Sequence, residues 1–208
     1  MKRSMMCAGV LLAGLLASSA CGSKGAAYPA GPQSNAAQSN SPNSPNSANS
    51  PAPGELRYKA PDGWVKEPTS SAMRVAQYKL PKTEGDAEDT LLVVYYFGAT
   101  QGGTAQANID RWISQMQQSD GSASKDKAKT EISTVNGLKV TSVDVSGTYT
   151  AEMAPGSGTK HNDANYRLRA AVIETPKGNY FLKLVGPAKT MARWEQSVTD
   201  FVKSFEFK

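Results

Sequence analysis

Residues 73–80 alternate, with Arg74, Ala76, Tyr78 and Leu80 on one side and Met73, Val75, Gln77 and Lys79 on the other. A period of two predicts a strand with one buried face. Residues 91–97 are continuously apolar and β-prone, which predicts a central strand. The acidic stretch 84–89 between them reads as an exposed loop. From Thr104 to Gln117 the period lengthens, and Ala105, Ile109, Trp112, Ile113 and Met116 form one helical stripe. Thr104 is placed to cap its start. Two strands follow, over 127–135 and 138–150, joined by Asn136-Gly137, a strong hairpin signal. A second hairpin, 166–174 with 180–185, turns around Pro176-Lys177-Gly178-Asn179. The last helix is expected from Gly186-Pro187, with proline at the first helical position. Its stripe is Met191, Trp194, Val198, Phe201, Val202 and Phe205. Order begins near Leu56, and Pro61-Asp62-Gly63 marks a turn before Trp64. Hairpins dominate, so the fold class is α+β, a mainly antiparallel sheet flanked by helices.

The first 54 residues follow no such period. Lys2 and Arg3 precede an apolar run from Met5 to Ala17, and small residues follow. These are the parts of a secretion signal. The run is too short to span a bilayer as a helix. The stretch Leu15-Leu16-Ala17-Ser18-Ser19-Ala20-Cys21, followed by Gly22 and Ser23, resembles the lipobox of bacterial lipoproteins. Ser18 stands where a lipobox usually has an aliphatic residue, and ordinary cleavage after Ala20 is the alternative. The lipobox reading makes 1–20 a signal peptide and Cys21 the attachment site for fatty acyl groups such as palmitate. Cys7 lies inside the signal, so Cys21 is the one thiol of the mature chain, and acylation uses it. More than one acyl chain gives stable anchoring, at about 0.8 kcal/mol per buried methylene. The expected location is the cell envelope, on the periplasmic side of the outer membrane if the cell has two membranes. Residues 21–54 are almost entirely Ser, Asn, Pro, Ala, Gly and Gln, with Lys24 the only charge. They read as a disordered tether with a mean span of about 30 Å. The globular domain is then 55–208.

Charge narrows the partners. Without Lys2 and Arg3, the 23 basic and 18 acidic side chains become 21 against 18, a net of +3. The excess is spread along the chain, which argues against nucleic acid as a partner. With one cysteine left, no internal disulfide forms, and the fold rests on its core. A domain of roughly 150 residues buries about 68–70% of its unfolded surface, enough for that.

Ala60-Pro61-Asp62-Gly63-Trp64, Met73-Arg74, Asn108-Ile109-Asp110-Arg111-Trp112 and Lys183-Leu184-Val185-Gly186-Pro187 together resemble a group of uncharacterised bacterial lipoproteins. More distantly, the chain resembles the PsbP-like fold, named for an extrinsic photosystem subunit. The resemblance spans about Leu56 to Phe207. It implies an αβα sandwich and a habit of binding other proteins. Its motifs are structural and imply no activity.

Candidate chemistry is sparse. His161 is the sole histidine, and a triad would have to use it, with Ser157 or another serine as nucleophile. Both sit in a Gly-rich loop without a Gly-x-Ser-x-Gly elbow, so a solvated loop histidine is the expectation. Glu84, Asp86, Glu88 and Asp89 lack the spacing of a calcium loop. No metal and no cofactor is expected. Lys183, before the corner at Gly186, is a candidate for holding an anion near the last helix. Arg167 and Arg169 alternate on a strand and so share one face. Together the three are the candidate binding residues. Trp64, Trp112 and Trp194 are expected in the core. The first expectation for function is a non-enzymatic, lipid-anchored envelope module that binds a protein partner through its sheet face or end loops. The alternative is a small-ligand or lipid-binding module with a pocket between sheet and helix. A hydrolase using His161 is the third.

Overall fold

A computed structural model describes residues 55–208; the expected signal, Cys21 and the tether lie outside the described residues. Along the chain run β1 (Leu56–Arg57), β2 (Val65–Glu67), β3 (Arg74–Leu80), β4 (Thr90–Tyr96), α1 (Ala105–Ile113), β5 (Met116–Gln117), α2 (Ser124–Lys127), β6 (Lys129–Val135), β7 (Leu138–Tyr149), β8 (Asp163–Thr175), β9 (Gly178–Pro187), α3 (Ala188–Arg193), α4 (Glu195–Lys203) and β10 (Glu206–Phe207). The main sheet has the order β2-β3-β4-β9-β8-β7-β5, with β6 also paired to β7. Its pairings are all antiparallel. β1 and β10 form a separate two-stranded ribbon. The fold is α+β, as the hairpin-rich pattern predicts.

Alternation along β8 shows the layers. Leu168, Ala170 and Val172 pack with Ile109, Trp112 and Ile113 of α1. Ala171 and Ile173 face the other way, into a core with Met191 of α3 and Val198 and Phe201 of α4. Helices therefore cover both faces of the sheet, and each face has its own core.

Local chemistry explains the main boundaries. Thr104 Oγ1 accepts the Ala107 N–H at 3.2 Å and starts α1. Asn136 and Gly137 have φ of 48° and 83°, the left-handed pair a two-residue hairpin needs. Asn136 also donates its side-chain amide to the Phe205 carbonyl at 2.9 Å, which ties the hairpin to the chain just past α4.

The last helix departs from expectation in two ways. Gly186 and Pro187 belong to β9, paired with Arg167 and Tyr166. A side chain at Gly186 would overlap buried Thr90, so close strand approach is what this position requires. The helix is also broken at Trp194, whose backbone leaves helical values (φ −96°, ψ 8°). There the indole N–H donates to the Pro81 carbonyl at 2.9 Å. The acidic loop is likewise more than a solvated loop. Asp86 accepts the Thr190 N–H at 2.9 Å and its hydroxyl at 2.6 Å, and Glu88 accepts the Tyr166 hydroxyl at 2.6 Å.

Candidate functional site

The site follows from strand alternation and one short helix. In β4, Leu92 and Val94 enter the core beneath α3 and α4. Their neighbours Leu91, Val93 and Tyr95 must point to the opposite face. In β9, Leu182 and Leu184 enter the same core, so Phe181, Lys183 and Val185 join that opposite face. α1 lies on this side but rests on β7 and β8. Its nine residues span only about 13–14 Å. The half of the sheet formed by β3, β4 and β9 is left without a helix over it.

A cleft of about 850 Å³ occupies that uncovered half. Its floor is Val93, Tyr95, Phe181 and Val185. One wall is the C-terminal end of α1 with Arg111, Trp112 and Gln115, and the other is the loop 150–162 that joins β7 to β8. The volume falls within the range of small-molecule sites. A shallower depression of about 540 Å³ continues along the same face, sharing Leu91 and Val185, toward Glu67, Lys79 and Asp89.

Lys183 is the centre of the cleft's electrostatics. Its ammonium donates to Gln115 Oε1 at 2.6 Å and to the Tyr149 hydroxyl at 3.2 Å. It also lies 5.3 Å from the Tyr149 ring centre. Burial pushes its pKa down to about 8, and the positive charge of Arg111 pushes the same way. Tyr149 is held above the usual phenol range, chiefly by burial and then by Tyr95 and Asp163. Three further cations line the cleft, Arg74, Arg111 and Lys160. Arg74 lies over Tyr95 at 5.7 Å and donates to Gln77 Oε1 at 2.5 Å. Arg111 donates to Asn108 Oδ1 at 2.6 Å. Among the described residues no ion pair joins a carboxylate to Lys183, Arg74, Arg111 or Lys160. Glu152 also lines the cleft, and its carboxylate accepts the Gly156 N–H at 2.9 Å within the loop.

The three candidate binding residues do not share one place. Lys183 faces the cleft. Arg167 and Arg169 lie on the opposite face, beside α4. Arg167 grips Asp144 with two hydrogen bonds, at 2.7 and 2.5 Å, and reaches Glu195 at 3.0 Å. Those carboxylates hold its pKa above the usual arginine range, with Asp144 the larger cause. Arg169 meets the same Asp144 at 3.5 Å and donates to the Glu195 carbonyl at 3.2 Å. Burial lowers its pKa. The pair fastens α4 to the sheet. The anion seat considered at the last helix is already filled from within the chain, because Asp86 accepts the Thr190 N–H.

His161 is better placed than a solvated loop residue. Its Nδ1 lies 2.8 Å from Asp163 Oδ2, and its ring is 4.9 Å from Tyr149 at the cleft wall. Ser157 points elsewhere, donating to the Thr159 carbonyl at 3.3 Å. The imidazole thus has an orienting carboxylate but not the nucleophile considered for it. The available signal was the short spacing of His161 and Asp163, which keeps the two side chains within reach where the loop enters β8. Arg74 stood out as a charge on a predicted strand, but Arg111, Gln115 and Tyr149 carried no signal, because only the assembled sheet brings them to Lys183. Among the described residues, no group of three or more His, Cys, Asp or Glu is placed to hold a metal ion, and no helix is long and apolar enough to cross a membrane.

No protein-family model and no curated protein matches the chain. Solved structures similar to it include LpqN of Mycobacterium tuberculosis, described as involved in cell envelope biogenesis. That likeness has 13% identity and a TM-score of 0.48, and covers 74% of this chain and 84% of LpqN. PA94 of Pseudomonas aeruginosa, a protein of unknown function, has 13% identity and a TM-score of 0.42, over 74% of this chain and 99% of PA94. Cyanobacterial PsbP from Synechocystis sp. PCC 6803 has 11% identity and a TM-score of 0.42, over 78% of this chain and 98% of PsbP.

Proposed function

We propose that this chain is a non-enzymatic binding module of the cell envelope, held to a membrane by acylated Cys21, and that its cleft takes a small amphipathic ligand. The observation that carries this reading is the 850 Å³ cleft on the half of the sheet that α1 leaves uncovered. Its floor is apolar and aromatic, and its polar groups converge from α1, β7 and β9. That combination of shape and lining suits a ligand site. His161 and Asp163 orient one another at its wall, and with Ser157 bonded to the Thr159 carbonyl they suit binding better than hydrolysis.

The cleft reading is tested by filling it. Val185→Trp places an indole on the floor. Native mass spectrometry of the full chain isolated from its envelope is expected to show an added small-molecule mass that the variant lacks. Titration with ten-carbon amphiphiles is expected to change the fluorescence of Trp112, which lines the cleft. A bare mass together with no fluorescence response to any amphiphile rejects the ligand reading. The anchor is checked separately. Palmitate label is expected on the wild-type chain and not on Cys21→Ser, and equal labelling of both would reject acylation there.

A second reading keeps a protein partner on the same open face. Val65 and Leu91 are 52% and 37% exposed there, and the depression beyond the cleft extends the face toward β2. A bound protein would leave the Val185→Trp mass difference absent while protecting β2 and β3 amides from exchange.

A further inference from the structure

We propose that the ligand is an anionic amphiphile, with a carboxylate or phosphate head seated among Lys183, Arg111 and Arg74 and an apolar body along Leu91, Tyr95 and Val185. This rests on the ligand-binding reading and names its class. The first ground is uncompensated charge. Three cations from β3, α1 and β9 line one cleft, and the hydrogen-bond acceptors that hold them are the neutral Gln77, Asn108, Gln115 and Tyr149. A buried charge is ordinarily paired. Lys183 is half-buried, and the charge it faces is the like charge of Arg111. Two of the three protons on its ammonium are used by Gln115 and Tyr149, and the third has no partner among the described residues. A bound anion supplies the missing counter-ion and acceptor.

The second ground is what the remaining groups exclude. Lys160 and His161 approach from the loop 150–162 and add no negative charge, while Glu152 is turned onto the loop backbone. Asp163 is held by His161. A cationic head would meet Lys183, Arg111 and Arg74 at close quarters, against Glu152 as the one carboxylate of the lining. A neutral head would leave the Lys183–Arg111 pair unneutralised. The third ground is the floor. An anion alone needs no apolar surface, whereas exposed Leu91 and half-buried Tyr95 and Val185 offer it beside the cations, with buried Val93 and Phe181 packed beneath.

The test uses the full chain at neutral pH, with Trp112 fluorescence and calorimetry. The probes are decanoate, decyl phosphate, decyl maltoside, decyltrimethylammonium and inorganic phosphate. Decanoate and decyl phosphate are expected to bind roughly tenfold or more tightly than decyl maltoside, the scale of one charged hydrogen bond gained. Lys183→Met and Arg111→Gln should each lower anion affinity by about tenfold while leaving decyl maltoside unchanged. Equal affinity for decanoate and decyl maltoside would overturn the anionic head but keep a ligand cleft. Inorganic phosphate binding as tightly as decyl phosphate would overturn the amphiphile and leave a free anion as the ligand. Silence from every probe would overturn both the head-group assignment and the ligand reading.

Discussion

Phe201→Ala is expected to lose roughly 3–5 kcal/mol of stability, the usual cost of emptying a large buried aromatic site. Phe201 is fully buried in α4. Its ring centre lies 5.1 Å from those of Tyr58, Trp64 and Phe205 and 6.1 Å from that of Tyr78. These rings come from the chain before β2, from β3 and from the segment after α4, so one side chain joins both ends of the domain. The neighbours are themselves large and interlocked, and they collapse poorly into the space left behind. A urea midpoint shifted downward at unchanged slope is the measurement. Ile132→Ala, at a site 66% exposed, is the control and should stay within about 0.5 kcal/mol. This core lies across the sheet from the cleft. The folded fraction of Phe201→Ala should therefore keep its preference for anionic amphiphiles, and loss of that preference would mean the two faces are not independent.

Features that depend on near neighbours in sequence could be read directly. The alternation expected over 73–80 holds in β3 from Ala76 to Leu80, while a bulge between Arg74 and Ala76 turns Arg74 to the cleft side; Thr104 caps α1, and Asn136-Gly137 turns the β6–β7 hairpin, because each needs only local geometry. Features set by distant pairing could not. β4 lies against β9, with Leu92 opposite Leu184, and nothing in either segment names the other. The split of the final helix at Trp194 depends on a carbonyl at Pro81. The open half of the sheet is a difference between the length of α1 and the width of the sheet, which appears only on assembly.

The candidate site was legible in the same uneven way. Lys183 stood out as a charge on an apolar strand, but for an anion seat at the following helix that Asp86 occupies. Its side chain instead points through the opposite face, beside Arg111 and Tyr149. Arg167 and Arg169 share a face, but it is turned onto α4 rather than out to solvent as a contact patch requires. Register then sets Asp144 directly opposite Arg169, so their charge is spent inside the fold. The i, i+2 pair His161 and Asp163 was visible in the sequence, yet its position beside the cleft depends on Tyr149, twelve residues earlier at the end of β7.

Lys183→Met is expected to raise stability at neutral pH by about 1–2 kcal/mol, the full linkage discounted for solvent screening and for the lost hydrogen bonds, while weakening anion binding about tenfold. The stability gain follows from linkage. An unfolded lysine titrates at 10.5, and burial brings Lys183 down to about 8 in the folded chain. At pH 7 the folded protein therefore carries a charge in a place that disfavours it, and each unit of depression costs about 1.4 kcal/mol. Between about pH 8 and about pH 10.5 the unfolded chain binds the extra proton, so wild-type stability gains on the variant as pH rises through that window. Below it the deficit is full, and above it the deficit is gone. Methionine fills a similar volume without the charge and gains burial of its own. Lys183→Arg separates the two properties: it keeps the cost and the anion affinity but cannot lose its proton, so the difference between it and methionine should not close between pH 8 and 10.5. Urea midpoints across that range, with decanoate affinity at neutral pH, measure both. Stability and binding moving in opposite directions is the signature of a side chain held for its ligand rather than for the fold. If methionine instead destabilises the chain equally at every pH, the hydrogen bonds to Gln115 and Tyr149 outweigh the buried charge, and the cleft loses the residue around which its chemistry is built.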